Sequence, residues 1–183
     1  YQFTIDVVNV DNEGIITIQG EAIQNQVLKA IVTDEDGIDG KVGYEWKRDG
    51  KMVKGENDSY KLTQADVGSI ISVKATYKDI KSATIVSTPE TLSDQIANIN
   101  DPPKLKLFSK QSIKLNQRFT YIVKAEDPDG VDQLTYRLIN KPTGMEINSS
   151  TGVITWTPTI VESNIQVNVQ VDDGSNTNKA KDN

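Results

Sequence analysis

The sequence predicts an all-β fold of two tandem antiparallel β-sandwich modules, and three observations carry that expectation. Apolar and polar residues alternate at period two in short runs bounded by Gly, Asn and Asp, the pattern of half-buried strands. No stretch of a dozen residues holds a 3.6-residue period. A rigid, strand-averse string, Asn98-Ile99-Asn100-Asp101-Pro102-Pro103, interrupts the 183 residues near their middle. Length and break together point to two domains of roughly 90 residues each.

The alternating runs come in order. Before the break they are Phe3–Val7, Ile16–Ile18, Val27–Val32, Tyr44–Lys47, Tyr60–Leu62, Ile71–Tyr77 and Ala83–Val86. After it come Leu105–Phe108, Phe119–Ala125, Leu134–Ile139, Val153–Thr157 and Ile165–Val171. Strands of this length at this spacing build antiparallel sandwiches. The string Val7-Val8-Asn9-Val10-Asp11-Asn12 can be laid over Ile96-Ala97-Asn98-Ile99-Asn100-Asp101, and such self-similarity points to tandem modules. Residues 1–12 therefore read as a strand and linker belonging to a preceding module, 13–97 as the first sandwich, 98–103 as a linker, and 104–183 as the second sandwich.

Composition excludes several function classes. The chain is 36% hydrophobic, enough for a core, and its 25% charged residues are too few for a disordered polyelectrolyte. A net charge of −6 and a pI near 4.7 oppose nucleic acid and anionic lipid. No apolar run approaches the ~20 residues of a membrane span. There are no cysteines and no histidines, so disulfides, zinc–thiolate sites, a cysteine nucleophile and histidine general bases are absent. No phosphate loop, Gly-x-Ser-x-Gly elbow or Ser-x-x-Lys occurs. The metal that remains is a hard cation held by Asp, Glu and Asn oxygens. No leader is visible, and the chain reads as a segment of a longer array.

Trp46 lies mid-strand, where strand C of an immunoglobulin sandwich places its core tryptophan. Asp66-Val67-Gly68 then resembles the turn entering strand F, with Ile70 where antibodies carry the corner tyrosine and Ser72 where they carry cysteine. The missing Tyr and Cys exclude an antibody-type domain. Tyr44-Glu45-Trp46-Lys47-Arg48-Asp49-Gly50 and Tyr60-Lys61-Leu62-Thr63-Gln64-Ala65-Asp66-Val67-Gly68 resemble the Ig-like repeats of large bacterial RTX-type surface adhesins. Residues 104–183 resemble dystroglycan-type, cadherin-like modules. That likeness rests on Ala125-Glu126-Asp127-Pro128-Asp129-Gly130, Leu134-Thr135-Tyr136, Pro142-Thr143-Gly144-Met145 and Thr151-Gly152-Val153-Ile154-Thr155-Trp156-Thr157-Pro158. Such modules identify a fold more than an activity.

The second sandwich is expected to lack its last strand, because the sequence stops nine residues after Gly174. A suitable strand stands at the opposite end, Tyr1–Val8. Two readings are open. Tyr1–Val8 adds to an open sheet edge in a neighbouring molecule, or it forms an ordinary first strand of the first domain.

Acidic residues concentrate where such a topology brings loops together. For the second domain these are Asn98, Asn100 and Asp101 in the approach, Glu126, Asp127 and Asp129 in the B–C loop, and Asp172 and Asp173 in the F–G loop. For the first they are Asn9, Asp11, Asn12 and Glu13, then Asp34, Glu35, Asp36 and Asp39, then Asp79. Carboxylates about 4 Å apart repel by roughly 4 kcal/mol per pair at an effective dielectric of 20. A Ca2+ ion, which takes six to eight oxygens, relieves that repulsion. The resemblance implies Asn100, Asp101, Asp127 and Asp129 as calcium ligands, with Asp172 or Asp173 as a further one. Asp36-Gly37, Asp129-Gly130 and Asp173-Gly174 are equally ordinary turn dipeptides, and Asp49-Gly50 is taken as a turn.

Lys104-Leu105-Lys106-Leu107 reads as a water-facing edge strand, and the alternation around Trp156 favours core packing over sugar stacking. These features converge on a non-enzymatic, extracellular extender segment of a secreted or cell-surface adhesin, stiffened by calcium at module junctions. Its partners are neighbouring modules of the same polypeptide. A carbohydrate- or peptide-binding module and an accessory region of a secreted hydrolase are the alternatives.

Overall fold

The computed structural model describes residues 1–7, 13–81, 85–88, 90–106, 108–130, 133–175 and 179–182. The chain divides into two units, Tyr1–Ile99 and Asn100–Asn183. Both are all-β, with one 3-10 turn at Gln64–Asp66 among the described residues.

The first unit contains β1 (Ile15–Gln19), β2 (Val27–Thr33), β3 (Ile38–Arg48), β4 (Lys51–Val53), β5 (Ser59–Lys61), β6 (Ile70–Asp79), β7 (Ile85–Ser87) and β8 (Thr91–Gln95). One sheet runs β1-β2-β5. The other runs β4-β3-β6, and β7 and β8 share the far edge of β6, pairing with its two halves in turn. β3 and β4 form a hairpin through Asp49 and Gly50, both at positive φ (47° and 78°), the geometry of a two-residue turn that matches strand twist. The Asp49 carboxylate accepts the Ile70 N–H at 2.9 Å, a hydrogen bond that holds its pKa below the usual carboxylate value.

Leu28, Trp46, Leu62, Ile71, Val73 and Ile96 form the heart of the first core. Trp46 stacks on Tyr60 at 5.7 Å between centroids, and its indole N–H donates to the Asn57 carbonyl at 3.0 Å. Val73 stands opposite Trp46 in the ladder, so the odd-numbered residues of β6 face the core. That corrects the expected F-strand register. Ile70 is exposed, and Ser72 lies on the outer face, buried because its hydroxyl donates to Glu90 at 2.7 Å. The Ser72 hydroxyl and the Lys47 ammonium at 3.2 Å keep the Glu90 pKa low.

Asp66 pins the other end of this unit. It is fully buried, and its two oxygens accept four hydrogen bonds, from the Tyr60 hydroxyl, Arg48, and the Thr63 amide and hydroxyl, at 2.8 to 3.1 Å. Burial, then the Asp66 carboxylate beside it, pushes the Tyr60 phenol up to about 12.

The second unit contains β9 (Lys104–Leu105), β10 (Phe119–Ile122), β11 (Ala125–Glu126), β12 (Thr135–Leu138), β13 (Glu146–Ile147), β14 (Val153–Trp156), β15 (Val169–Asp172) and β16 (Lys179–Asp182). Its sheets run β10-β14-β13, β12-β15-β16 and β9-β11. Tyr136, Met145, Ile154, Trp156, Val169 and Val171 build the core, and the Trp156 indole donates to the Thr143 carbonyl at 3.1 Å. Gly152, at φ 66°, turns β13 into β14, and a side chain there would press on the Val123 carbonyl. The strands are shorter than the alternation implies: Ile165–Val171 yields only Val169–Asp172, and Leu105–Phe108 yields only β9, with Leu107 outside the described residues.

Two expectations need correction. A strand does follow the Val171–Gly174 loop, since β16 pairs antiparallel with β15 from Asp172↔Lys179 to Val169↔Asp182. The reversal is local: Gly174 adopts φ 85° and Asp173 accepts the Ser175 N–H at 2.7 Å. Conversely, residues 1–7 form no strand and join no sheet of the chain, because a strand without a neighbouring edge has no ladder to hold it. The first-strand reading of Tyr1–Val8 therefore fails over those seven residues, and Val8 lies outside the described set.

Asp66→Ala is expected to destabilise the first unit by about 3 kcal/mol by stranding buried donors, leaving the second unit's transition unchanged in denaturant titrations. The raised Tyr60 pKa also sets a pH window. Because the folded value lies above the ordinary one, the protonated phenol's contribution is complete below pH ~10 and is lost as pH rises toward 12. Alkaline unfolding of the first unit is thus expected in that window, with a shallower pH slope in Tyr60→Phe.

Candidate cation sites

Each unit contains an Asp-x-Asp-Gly sequence, Asp34-Glu35-Asp36-Gly37 and Asp127-Pro128-Asp129-Gly130, and the two fold alike. The second aspartate's N–H donates to the first one's carboxylate, at 2.7 Å from Asp36 to Asp34 and 2.8 Å from Asp129 to Asp127. The glycine N–H then donates to the first aspartate's carbonyl, at 3.3 Å and 3.1 Å, with the glycine at positive φ in both. The sequence suggested extended segments with both carboxylates on one side. The structure shows an Asx turn, which brings them together by folding the backbone.

In the second unit this turn meets the approach segment and the F–G loop. The Asp101 N–H donates to Asp129 Oδ2 at 2.6 Å, and the Asn100 side-chain amide donates to Asp173 Oδ2 at 2.9 Å. These bonds tie the Asn100–Asp101 segment to Asp129 on one side and to Asp173 on the other. Asp172 caps its own turn by accepting the Gly174 N–H at 2.9 Å. Asn98 is exposed and belongs to the first unit. Glu126 points away and pairs with Lys106. Asp127 Oδ2 and Asp129 Oδ1 are buried, and among the described residues neither has a hydrogen-bond donor. Buried carboxylate oxygens that lack a donor are costly, and all-oxygen surroundings of this kind suit a hard divalent cation.

The first unit assembles its acids differently. Carboxylate oxygens of Asp34, Asp36 and Asp79 lie within 4.8 Å of one another, and Asp36 and Asp79 are buried. Here the protein supplies positive partners. Lys81 places its ammonium 2.7 Å from Asp36, and the Tyr77 hydroxyl donates to Asp34. The Asp36 carboxylate raises the Lys81 pKa; burial first, then the hydrogen bond to Asp34, raises that of Tyr77. Gly14 lies so close to Tyr77 that any side chain would collide with the phenol. Asp39 is exposed and pairs with Lys78 at 3.2 Å, Glu35 is exposed, and Asp11 falls outside the described residues.

Sequence reasoning missed Tyr77, Lys81 and Gly14. Tyr77 continues the core face of β6 and looks like packing. Lys81 has no spacing that marks it. Only the fold shows them beside the acids.

Comparison with known proteins gives several likenesses. The family profile described as "Putative Ig domain" matches residues 102–182. A curated relative, integrin beta-like protein A of Dictyostelium discoideum, is 25% identical over 162 residues, which is 85% of this chain and 8% of that protein. Among solved structures, the three N-terminal domains of the bacteriophage RB49 highly immunogenic outer capsid protein align with TM-score 0.37 at 16% identity, covering 92% of this chain and 57% of that one. The mouse nectin-like molecule 4 ectodomain aligns with TM-score 0.40 at 14% identity, covering 93% and 62%. Residues 102–182 thus resemble a putative Ig domain, within a chain whose two units are both all-β.

Proposed function

We propose that the chain is a non-catalytic, extracellular spacer segment of a surface adhesin, and that its second unit binds Ca2+ through Asn100, Asp101, Asp127, Asp129 and Asp173. The observation that carries this reading is the pair of buried, donor-less oxygens on Asp127 and Asp129. A Ca2+ ion supplies the charge that those oxygens lack. It ties the residues through which the chain approaches the unit to two of the unit's own loops. Freedom in the linker falls, and a flexible string of modules becomes a stiff one. Nearby modules of the same polypeptide are its natural partners.

Other features support a structural role. The chain has no histidine or cysteine, and both tryptophans are buried in the cores rather than on the surface. No helix among the described residues is long and apolar enough to cross a membrane. The name of the Dictyostelium relative agrees with a place at the cell surface, and the likeness to RTX-type repeats favours a bacterial adhesin. In the first unit, Lys81 and Tyr77 take the place of an ion beside Asp36 and Asp34.

Thermal unfolding in Ca2+ against chelator tests this reading. At 100 times its dissociation constant the ion adds about 2.7 kcal/mol to the second unit, several degrees in midpoint. Asp129→Ala is expected to abolish the shift and Asp49→Ala to leave it intact; an unchanged wild-type midpoint at millimolar Ca2+ refutes the proposal. Lys81→Met is expected to lower the first unit's midpoint in chelator and to make it newly responsive to Ca2+.

A further inference from the structure

We propose that the second unit binds an acidic polysaccharide, a chain of sugar rings bearing carboxylate or sulfate groups, along its basic segment 104–124 and into the cavity beside it. The charge distribution is the first observation. Residues 102–125 carry six basic side chains, Lys104, Lys106, Lys110, Lys114, Arg118 and Lys124, and no acidic one. The chain's net charge is −6, and all 26 aspartates and glutamates lie outside this segment. In physiological salt a surface charge is felt over about 8–10 Å. A local block of one sign therefore attracts an anion that the chain as a whole repels.

The fold leaves that block largely unneutralised. All six residues are exposed. Among the described residues one of them forms an ion pair, Lys106 with Glu126. In the first unit, by contrast, Lys29, Lys47, Arg48, Lys78 and Lys81 each pair with a carboxylate. β9 and β11 set Leu105 opposite Ala125 and Lys104 opposite Glu126. One step further along, the Lys106 N–H donates to the Lys124 carbonyl at 2.9 Å. Lys104, Lys106 and Lys124 thus share one face of the pair with a single acid, Glu126. Like charges set opposite each other destabilise a ladder, and a bound anion removes that cost.

The same segment reaches a recess suited to sugar rings. Phe108 and Lys110 line a 530 Å³ cavity together with Phe119 and Tyr121. The Tyr121 ring meets Phe108 edge-on at 5.8 Å and stacks with Phe119 at 6.2 Å. Three neighbouring rings offer an apolar surface to the C–H side of a sugar. The side-chain amides of Gln111, Asn164 and Gln166, exposed residues of the same lining, offer donors and acceptors to its hydroxyls. A lipid chain entering the recess would desolvate these amides without pairing them, which favours a hydroxylated ligand over an anionic membrane. Glu162 is the single acid in the lining among the described residues. It repels an anionic group from its own side and so directs the ligand's charges toward the lysines.

Titration of the full chain in chelator tests this, with heparin as the sulfated probe and neutral dextran as its control. Heparin should bind and dextran should not, and added NaCl should weaken the binding by screening it. Lys104→Gln with Lys110→Gln and Lys124→Gln should cost roughly tenfold in affinity. Lys41→Gln with Lys54→Gln and Lys61→Gln, at three exposed lysines of the first unit, changes the net charge equally and should cost nothing. Phe108→Ala should weaken heparin binding without altering its salt dependence, and Glu162→Gln should strengthen it. A parent that ignores heparin, dextran bound as tightly, equal losses from the two triple variants, tighter binding to phosphatidylserine vesicles than to heparin, or no response to either Phe108→Ala or Glu162→Gln would each overturn the proposal. Because the titration runs in chelator, its failure is separate from failure of the calcium reading.

Discussion

Two carboxylates separated by one residue repel, yet in both units an Asp-x-Asp turn closes with the first carboxylate folded over the second aspartate's backbone N–H. The hydrogen bond from the second aspartate's amide to the first one's carboxylate makes that possible, at 2.7 Å in one unit and 2.8 Å in the other. It offsets part of the repulsion and aims the remaining oxygens inward. Everything else at these sites follows from it. A turn that gathers negative charge at a buried point must receive positive charge from somewhere.

The two units answer that demand by different means. In the first, Lys81 reaches Asp36 from the end of β6, and the Tyr77 hydroxyl meets Asp34. The lysine is half exposed, so its four-carbon stem brings a solvated charge to a buried carboxylate at small desolvation cost. In the second, the donors to Asp129 and Asp173 are a backbone amide and an asparagine side chain, both neutral. Neutral donors organise the carboxylates without cancelling their charge. The same turn thus carries a lysine-neutralised cluster in one module and carboxylates organised by neutral donors in the other.

A third buried carboxylate shows what a purely structural solution looks like. Asp66 has all its partners in place, four donors on two oxygens, one of them the guanidinium of Arg48. Nothing is left for an ion to do. Asp127 and Asp129 are also buried in part but retain oxygens with no donor. Burial alone does not tell these aspartates apart; the count of satisfied lone pairs does.

Several features were legible in the sequence because they are local. Period-two alternation marked β2, β3 and β6; the Asp-Gly pairs marked turns; Trp46 and Trp156 marked the two cores. The meeting of Asp34 and Asp36 with Asp79 follows from topology, whereas Asn9, Asp11 and Asn12 lie outside the described residues. Other features depended on partners that no local pattern names. Ser72 looked like a core position, but the ladder with β3 fixes the phase of β6, and that phase sends Ser72 outward to Glu90. The alternation in Phe3–Val7 is as good as any in the chain, yet it forms no strand, because a strand exists only where an edge accepts it. Lys179–Asp182 alternates poorly and still pairs, since β15 offers such an edge. Sequence fixes which residues can face a core or bind a cation; register and neighbouring charge, which are long-range quantities, decide which of them do.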